Sequence, residues 1–207
     1  MSSYDLTVVN MALATLQKAP ADSLESPTTS YERWAVLLFD EAREAALVAW
    51  WFPEVRTRTL LAASAREADA LEFGEGKRYR LPEDCLKVHR VGKTQTGRWT
   101  REGDFIITEA TAAIQVHYYR NIPTEDCGPL LRRLIAAQLA VDIARAVSDS
   151  TTAMERAQRS YDRAWSAAAG AAGEEAGIEN QRDIGSEEMA RAGVGYGRFD
   201  AVDRSRG

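Results

Sequence analysis

Tyr79-Arg80-Leu81-Pro82-Glu83-Asp84-Cys85-Leu86-Lys87-Val88-His89-Arg90-Val91 is written in the two-residue period of β-strands, inside a chain whose flanks keep the helical period. Leu86, Val88 and Arg90 alternate with Lys87, His89 and Val91, and only Val91 breaks the pattern. Outward from this run, strands are predicted over 57–63, 77–80, 86–91, 98–100, 105–108 and 113–119, punctuated by Gly74, Gly76, Gly92, Gly97 and Gly103. Arg98-Trp99-Thr100 and Phe105-Ile106-Ile107, joined through Glu102-Gly103-Asp104, read as a hairpin. Residues 65–73 fit neither period and read as a loop with room for a helical turn. The expected product is one small, mostly antiparallel sheet.

Helical spacing brackets this insert. Leu6, Val9, Leu13 and Leu16 share a face of a first helix that should end before Pro20. Thr29-x-x-Glu32 is a capping box, and Trp34, Leu37, Leu38, Ala45, Val48 and Phe52 then predict the core stripe of a second helix, stopped by Pro53. Trp50, Trp51 and Phe52 would close that helix as an aromatic plug between helices and sheet. Pro123-Thr124-Glu125-Asp126 should open a third helix, with Leu130, Leu134, Ala137 and Val141 on one face and Leu131 and Ile135 widening it. Thr152-x-x-Glu155 should cap a fourth, carried by Met154, Ala157, Tyr161, Ala164, Trp165 and Ala168.

The expected architecture is α+β: a four-helix bundle with a small, mostly antiparallel β insert between helices 2 and 3, plus an extended C-terminal arm. The boundaries read 1–56 for the first helical half, 57–121 for the insert, 122–169 for the second helical half and 170–207 for a flexible arm. The arm holds eight of the chain's fourteen glycines and too few large apolar residues for its own core. Ile178, Ile184, Met189, Val194, Tyr196 and Phe199 are spaced along it like anchors for a partner's grooves. A solubilising tail is the alternative.

At 207 residues and 45% hydrophobic content the chain can bury one main core and a small second one. A net charge of -5 argues against a general nucleic-acid binder. The charge is unevenly spread, since residues 77–101 hold eight Lys or Arg against Glu83 and Asp84, a local +6 that leaves -11 elsewhere. A basic insert on an acidic body suits pairing with the acidic surface of a neighbouring copy, or contact with nucleic acid. A solvated sheet face is the plainer reading. Two cysteines, Cys85 and Cys127, make no disulfide scaffold and suit a reducing compartment. The opening Met1-Ser2-Ser3-Tyr4-Asp5 lacks the pattern of a secretory signal, and the apolar run at 45–52 is far short of the roughly 20 residues that cross a bilayer.

Reacting constellations are not visible. Gly92-Lys93-Thr94 ends like a phosphate-binding loop, but Lys87 stands where its first glycine belongs and no helix follows. Gly193-Val194-Gly195-Tyr196-Gly197 lacks a flanking strand and helix. Cys85, His89, His117 and Cys127 have ligand chemistry, yet Cys85 and His89 on one extended strand stand about 13 Å apart, too far for one zinc or for a thiol–imidazole pair. Glu83 and Asp84 follow Pro82 as turn residues. No catalytic residue, cofactor or metal is expected.

The order of elements resembles one family. Asn10-Met11-Ala12-Leu13-Ala14-Thr15-Leu16, Phe39-Asp40-Glu41-Ala42-Arg43-Glu44, Trp50-Trp51-Phe52, Tyr79-x-Leu81-Pro82-x-Asp84-Cys85-Leu86-x-Val88 and Val116-x-Tyr118 before Pro123 together resemble the tail tubular protein A group of bacteriophage head-tail adaptors. Such adaptors often show Trp-Asn-Phe where this chain has Trp51-Phe52-Pro53. The resemblance implies a non-enzymatic virion protein of the neck, made in the host cytoplasm. It further implies a homo-oligomeric ring of about a dozen copies, a dodecamer, between the portal protein and a downstream tail or nozzle protein, with DNA passing through its lumen and no membrane involved. On this reading Ile184, Met189, Val194, Tyr196 and Phe199 meet the portal, and Arg78, Arg80, Arg90, Lys93, Arg98 and Arg101 make subunit or tail-side contacts. The alternative is a DNA-binding or regulatory module using Arg78, Arg80, Arg90, Lys93 and Arg98 on phosphates. An enzyme built on Asp84, Cys85 or His89 ranks last.

Overall fold

The computed structural model describes residues 2–63, 77–92, 98–110, 112–147 and 150–176, with 175 and 176 described by backbone alone. Met1–Ala172 forms one compact unit and Gly173–Gly207 a second, of which 173–176 are described and helical. The chain is α+β, with two helices, six strands and two further helices in that order.

Helix α1 (Ser3–Thr15) starts on a capping box: the Ser2 hydroxyl accepts from the Asp5 amide at 3.3 Å, and the Asp5 carboxylate accepts from the Ser2 amide at 2.6 Å. After α1, Gln17 takes the left-handed conformation at φ 58. The Asn10 side chain bonds both backbone groups of Ala21, at 2.7 and 3.1 Å, folding the following loop back along the helix.

Helix α2 (Ser30–Leu47) begins at the expected Thr29/Glu32 capping box. It ends at Leu47, so Val48 and the Trp50-Trp51-Phe52 cluster follow the helix instead of closing it. Its buried face is Ala35, Phe39, Ala42 and Ala46, while Trp34, Leu37 and Ala45 of the expected stripe are exposed. Small residues let backbones approach closely, and α2 lies against α3, so alanines occupy the contact that larger apolar residues were expected to fill.

Helix α3 (Pro129–Val147) packs on both α1 and α2. It starts with proline at its first position, where no backbone N–H is needed. The Pro123–Asp126 signal forms a separate 3₁₀ turn, Thr124–Asp126, ahead of it. Helix α4 (Thr151–Ala176) begins one residue before the predicted Thr152 cap, with the Ala153 amide donating to the Ser150 hydroxyl at 3.4 Å. Residues 170–176, expected to begin the arm, are helical, as α4 runs through Gly170 to Ala176, and the rest of the expected arm lies outside the described residues. The run Ala167-Ala168-Ala169-Gly170-Ala171-Ala172 offsets, with the best helix former, the roughly 1 kcal/mol that one glycine costs. Among the described residues no helix is long and apolar enough to cross a membrane.

The insert holds two three-stranded antiparallel sheets instead of one. The first orders β1 (Arg56–Leu61), β6 (Ile114–Arg120) and β3 (Cys85–Val91); the second orders β2 (Lys77–Arg80), β5 (Phe105–Thr108) and β4 (Trp99–Glu102). Pro82, which donates no backbone hydrogen bond, ends the β2 ladder, and the turn through Glu83 and Asp84 carries the chain across to the first sheet. Tyr79 and Ile106 from the second sheet and Val88, Val116 and Tyr118 from the first pack into one core with Leu81, Val91 and Ile114. The Tyr79 hydroxyl, deep in that core, lies 2.7 and 2.8 Å from the carbonyls of Ala110 and Ala112. The predicted hairpin is β4–β5, turning through Gly103 at φ 57.

Candidate functional site

The second sheet has an inner and an outer face. Tyr79, Ile106 and Arg101 stand in one cross-strand row, so Arg78 and Arg80, one residue either side of Tyr79, point the opposite way. Arg78 lies over the Phe105 ring at 5.4 Å and 4.0 Å from Glu102, and Arg80 is exposed. Arg101 donates to the carbonyl of Leu86 at 2.9 Å and to that of Gly103 at 3.0 Å, tying the hairpin to β3 of the other sheet. Arg98 is exposed just before β4. Lys93 and the arm residues Ile184, Met189, Val194, Tyr196 and Phe199 lie outside the described residues.

Arg90 belongs elsewhere. Two irregularities in β3, between Cys85 and Lys87 and between Val88 and Arg90, re-phase the strand so that Lys87 opposes Tyr119, buried beside Trp51, and Arg90 opposes the half-buried His117, both on the side of β6 away from Val116 and Tyr118. Arg58 pairs with His117, and His117 with Arg90, giving a row across all three strands of the first sheet. Arg90 Nη2 is 3.5 Å from His117 Nε2, and Arg90 Nε is buried with no acceptor among the described residues. Among the described residues no carboxylate forms an ion pair with Arg58, Lys87 or Arg90. Burial, then Arg90 and Arg58, hold His117 below its ordinary pKa. The five of the six predicted basic residues that are described are thus divided between two sheets and several orientations. Sequence reasoning missed Arg58 and weighed His117 only as a metal ligand, although the alternation Arg56-Thr57-Arg58-Thr59 carried the signal for an outward basic edge.

At the helical end of the same sheet, Trp51 stacks on His89 with centroids 4.4 Å apart and meets Tyr119 edge-on at 4.8 Å. Burial, then the charges of Arg90, His117 and Lys87, push His89 down to about 4. Trp50 meets Trp165 of α4 edge-on at 5.8 Å. Adjacent tryptophans therefore clasp the sheet on one side and a helix on the other.

The remaining reactive groups have structural surroundings. The Tyr118 hydroxyl donates to Asp84 Oδ1 at 3.1 Å, and burial with this acid lifts its pKa to about 12. The Cys127 thiol donates to the Pro123 carbonyl at 3.5 Å and is pushed up to about 12, mainly by burial; burial also raises Cys85. Thiols held in the neutral form are poor nucleophiles and poor metal ligands. Among the described residues no three His, Cys, Asp or Glu side chains converge as ligands.

A groove of about 320 Å³ runs between α1, α3 and α4, floored by Met11, Leu130, Ala137 and Ala164 and edged by Arg133 and Arg163. No protein-family model matches the chain, and no curated protein matches it.

Proposed function

We propose that this chain is a structural subunit of a bacteriophage neck: a head-tail adaptor whose ring joins the portal vertex to the tail and surrounds the path of exiting DNA. One observation carries the reading. The segments that resemble tail tubular protein A hold the junction and the insert together: Trp51 ties the end of the first helical half to β3 and β6, while Tyr118 bonds Asp84, and Tyr79, Leu81 and Val88 share the core between the two sheets. Such contacts fix the shape of the body, and a ring that carries mechanical load requires rigidity of each copy.

In this reading the four helices close as one bundle, a dozen copies assemble head to tail, residues 177–207 reach the portal, and the insert faces a neighbour or the tail. The chain makes and breaks no bonds. Negative-stain imaging and light scattering of the purified protein, with and without its portal, test this. The expected result is a ring with a central channel; a lone subunit in both conditions refutes it.

The row Arg58–His117–Arg90, which meets no carboxylate in an ion pair among the described residues, favours a second reading, a DNA-binding module. Phosphate contacts would give affinity that falls steeply with salt in a gel-shift assay, without ring formation.

A further inference from the structure

Two surfaces of one chain are unlike and complementary. On α2, Trp34, Leu37, Leu38, Glu41, Glu44 and Ala45 lie within about 120° of the helix circumference, turned away from the buried Ala35–Phe39–Ala42–Ala46 face. Trp34 is 37% exposed and Leu37 67%. No cation forms an ion pair with Glu41 or Glu44 among the described residues; Glu44 only accepts a hydrogen bond from Asn121 at 3.2 Å. Of the nearby cations, Arg33 sits at the helix start, and Arg43 is drawn back to Asp40 at 3.4 Å and to the Ile122 carbonyl.

The outward face of the first sheet has the opposite sign. Leu60, 69% exposed, stands two residues along β1 from Arg58, on the same side as the Arg58–His117–Arg90 row. Strand spacing puts the two arginines about 10 Å apart at their Cα atoms. Like charges across a sheet destabilise it, and Arg90 Nε is buried with no acceptor among the described residues.

We infer that these two surfaces are the halves of one interface: the α2 face bearing Trp34, Leu37, Glu41 and Glu44 docks on the Leu60, Arg58 and Arg90 face of a second copy. Charge selects this pairing over symmetric ones. Helix on helix would oppose Glu41 and Glu44 to themselves, and sheet on sheet would oppose the arginines, whereas helix on sheet matches carboxylates to guanidiniums around two exposed leucines. An interface between unlike surfaces leaves each subunit with one free half of each kind, so it propagates from copy to copy and forms a ring where its rotation closes. This inference rests on the ring reading and specifies where its contacts fall.

Cysteine cross-linking in the full chain tests it, because the native Cys85 is half-buried and Cys127 buried. Leu37→Cys with Leu60→Cys should give a ladder of dimers, trimers and higher species with a short bis-maleimide, and each single variant less than about a tenth of that product, since an unlike interface never brings one position against itself. Single variants that cross-link as well as the pair overturn the inference in favour of a symmetric dimer. A second arm uses charge. Arg58→Glu with Arg90→Glu should weaken self-association about tenfold or more, and adding Glu41→Lys with Glu44→Lys should restore it. Association that ignores these changes, with no ladder from the double cysteine variant, refutes the inference and leaves the ring standing. A wild-type chain that stays monomeric, alone and with portal, refutes both. Loss of DNA affinity with unchanged self-association assigns the arginine row to nucleic acid and also overturns it.

Discussion

His89 lies flat on Trp51 with an interplanar angle of 16°, and the charges around it, from Lys87 and Arg90, are of the sign that opposes its protonation. Its pKa near 4 in the folded chain, against 6.5 as the ordinary value, fixes the sign of a pH effect. Above pH 6.5 the ring is neutral folded or unfolded, and the linkage contributes nothing further. Between 6.5 and 4 the unfolded chain takes up a proton that the folded chain refuses, so stability falls, then levels below 4. With allowance for the solvent that still reaches the ring, the loss is about 2 kcal/mol. Urea unfolding at pH 7.5 and 4 should show it in the wild type, and His89→Phe, which keeps the stack but cannot titrate, should lose correspondingly less. His117, lowered by burial and by Arg90 and Arg58, supplies a smaller loss of the same sign. Superimposable pH profiles for the two proteins would show that the folded chain accepts a charged ring at this position.

At the scale of elements, Gly103 offers a clean test of the β4–β5 hairpin. It holds φ 57 at the first central position of the turn, and a Cβ built there meets nothing within 4 Å, so any cost of substitution is backbone strain alone. Gly103→Val should destabilise by about 1–2 kcal/mol in a thermal melt, and Gly103→Asn by less, because asparagine tolerates the left-handed region. Equal costs for both would mean that the turn relaxes to another type. This hairpin, with the bounds of β2 and β5, was legible because local alternation and glycines determine it. Even Val91, which broke the alternation, marked a real feature: the irregularity at His89 re-phases the strand and turns Val91 into the core. The outward face of α2 was misread because periodicity finds apolar stripes without knowing which one a neighbour covers. Trp34 and Leu37 outweigh Ala35, Ala42 and Ala46 in apolar size, yet the alanines permit the closer approach to α3. The Arg58–His117–Arg90 row was illegible for another reason. It depends on the strand order β1-β6-β3, which joins residues far apart in sequence, and no local pattern encodes that pairing.

Within the whole unit, stability is unevenly distributed, and the helices show the gradient. Helix α3 buries Leu131, Leu134, Ile135, Leu139, Val141 and Ile143 and lies against two other helices. Helix α4 is longer, yet its fully buried side chains are alanines, Ala157, Ala168 and Ala172, and the groove of about 320 Å³ separates its middle from α1 and the start of α3. Burying a leucine or isoleucine contributes about 1.5–3 kcal/mol and an alanine far less, so α3 should open only with global unfolding while α4 detaches at lower cost. The edge-on contact between Trp50 and Trp165 is the main large-ring tie on α4. Native-state hydrogen exchange should therefore show amides of 155–170 exchanging well before those of 131–144, and Trp165→Ala should widen the gap by about 1 kcal/mol or more through loss of the aromatic pair. Equal protection of the two helices would place α4 in the same cooperative core as α3. On the proposed ring reading, an α4 that detaches at low cost would let the groove beside it adjust when a partner arrives, while the α1–α2–α3 layer and the two-sheet insert would hold the proposed contact surfaces of α2 and the first sheet in fixed shape.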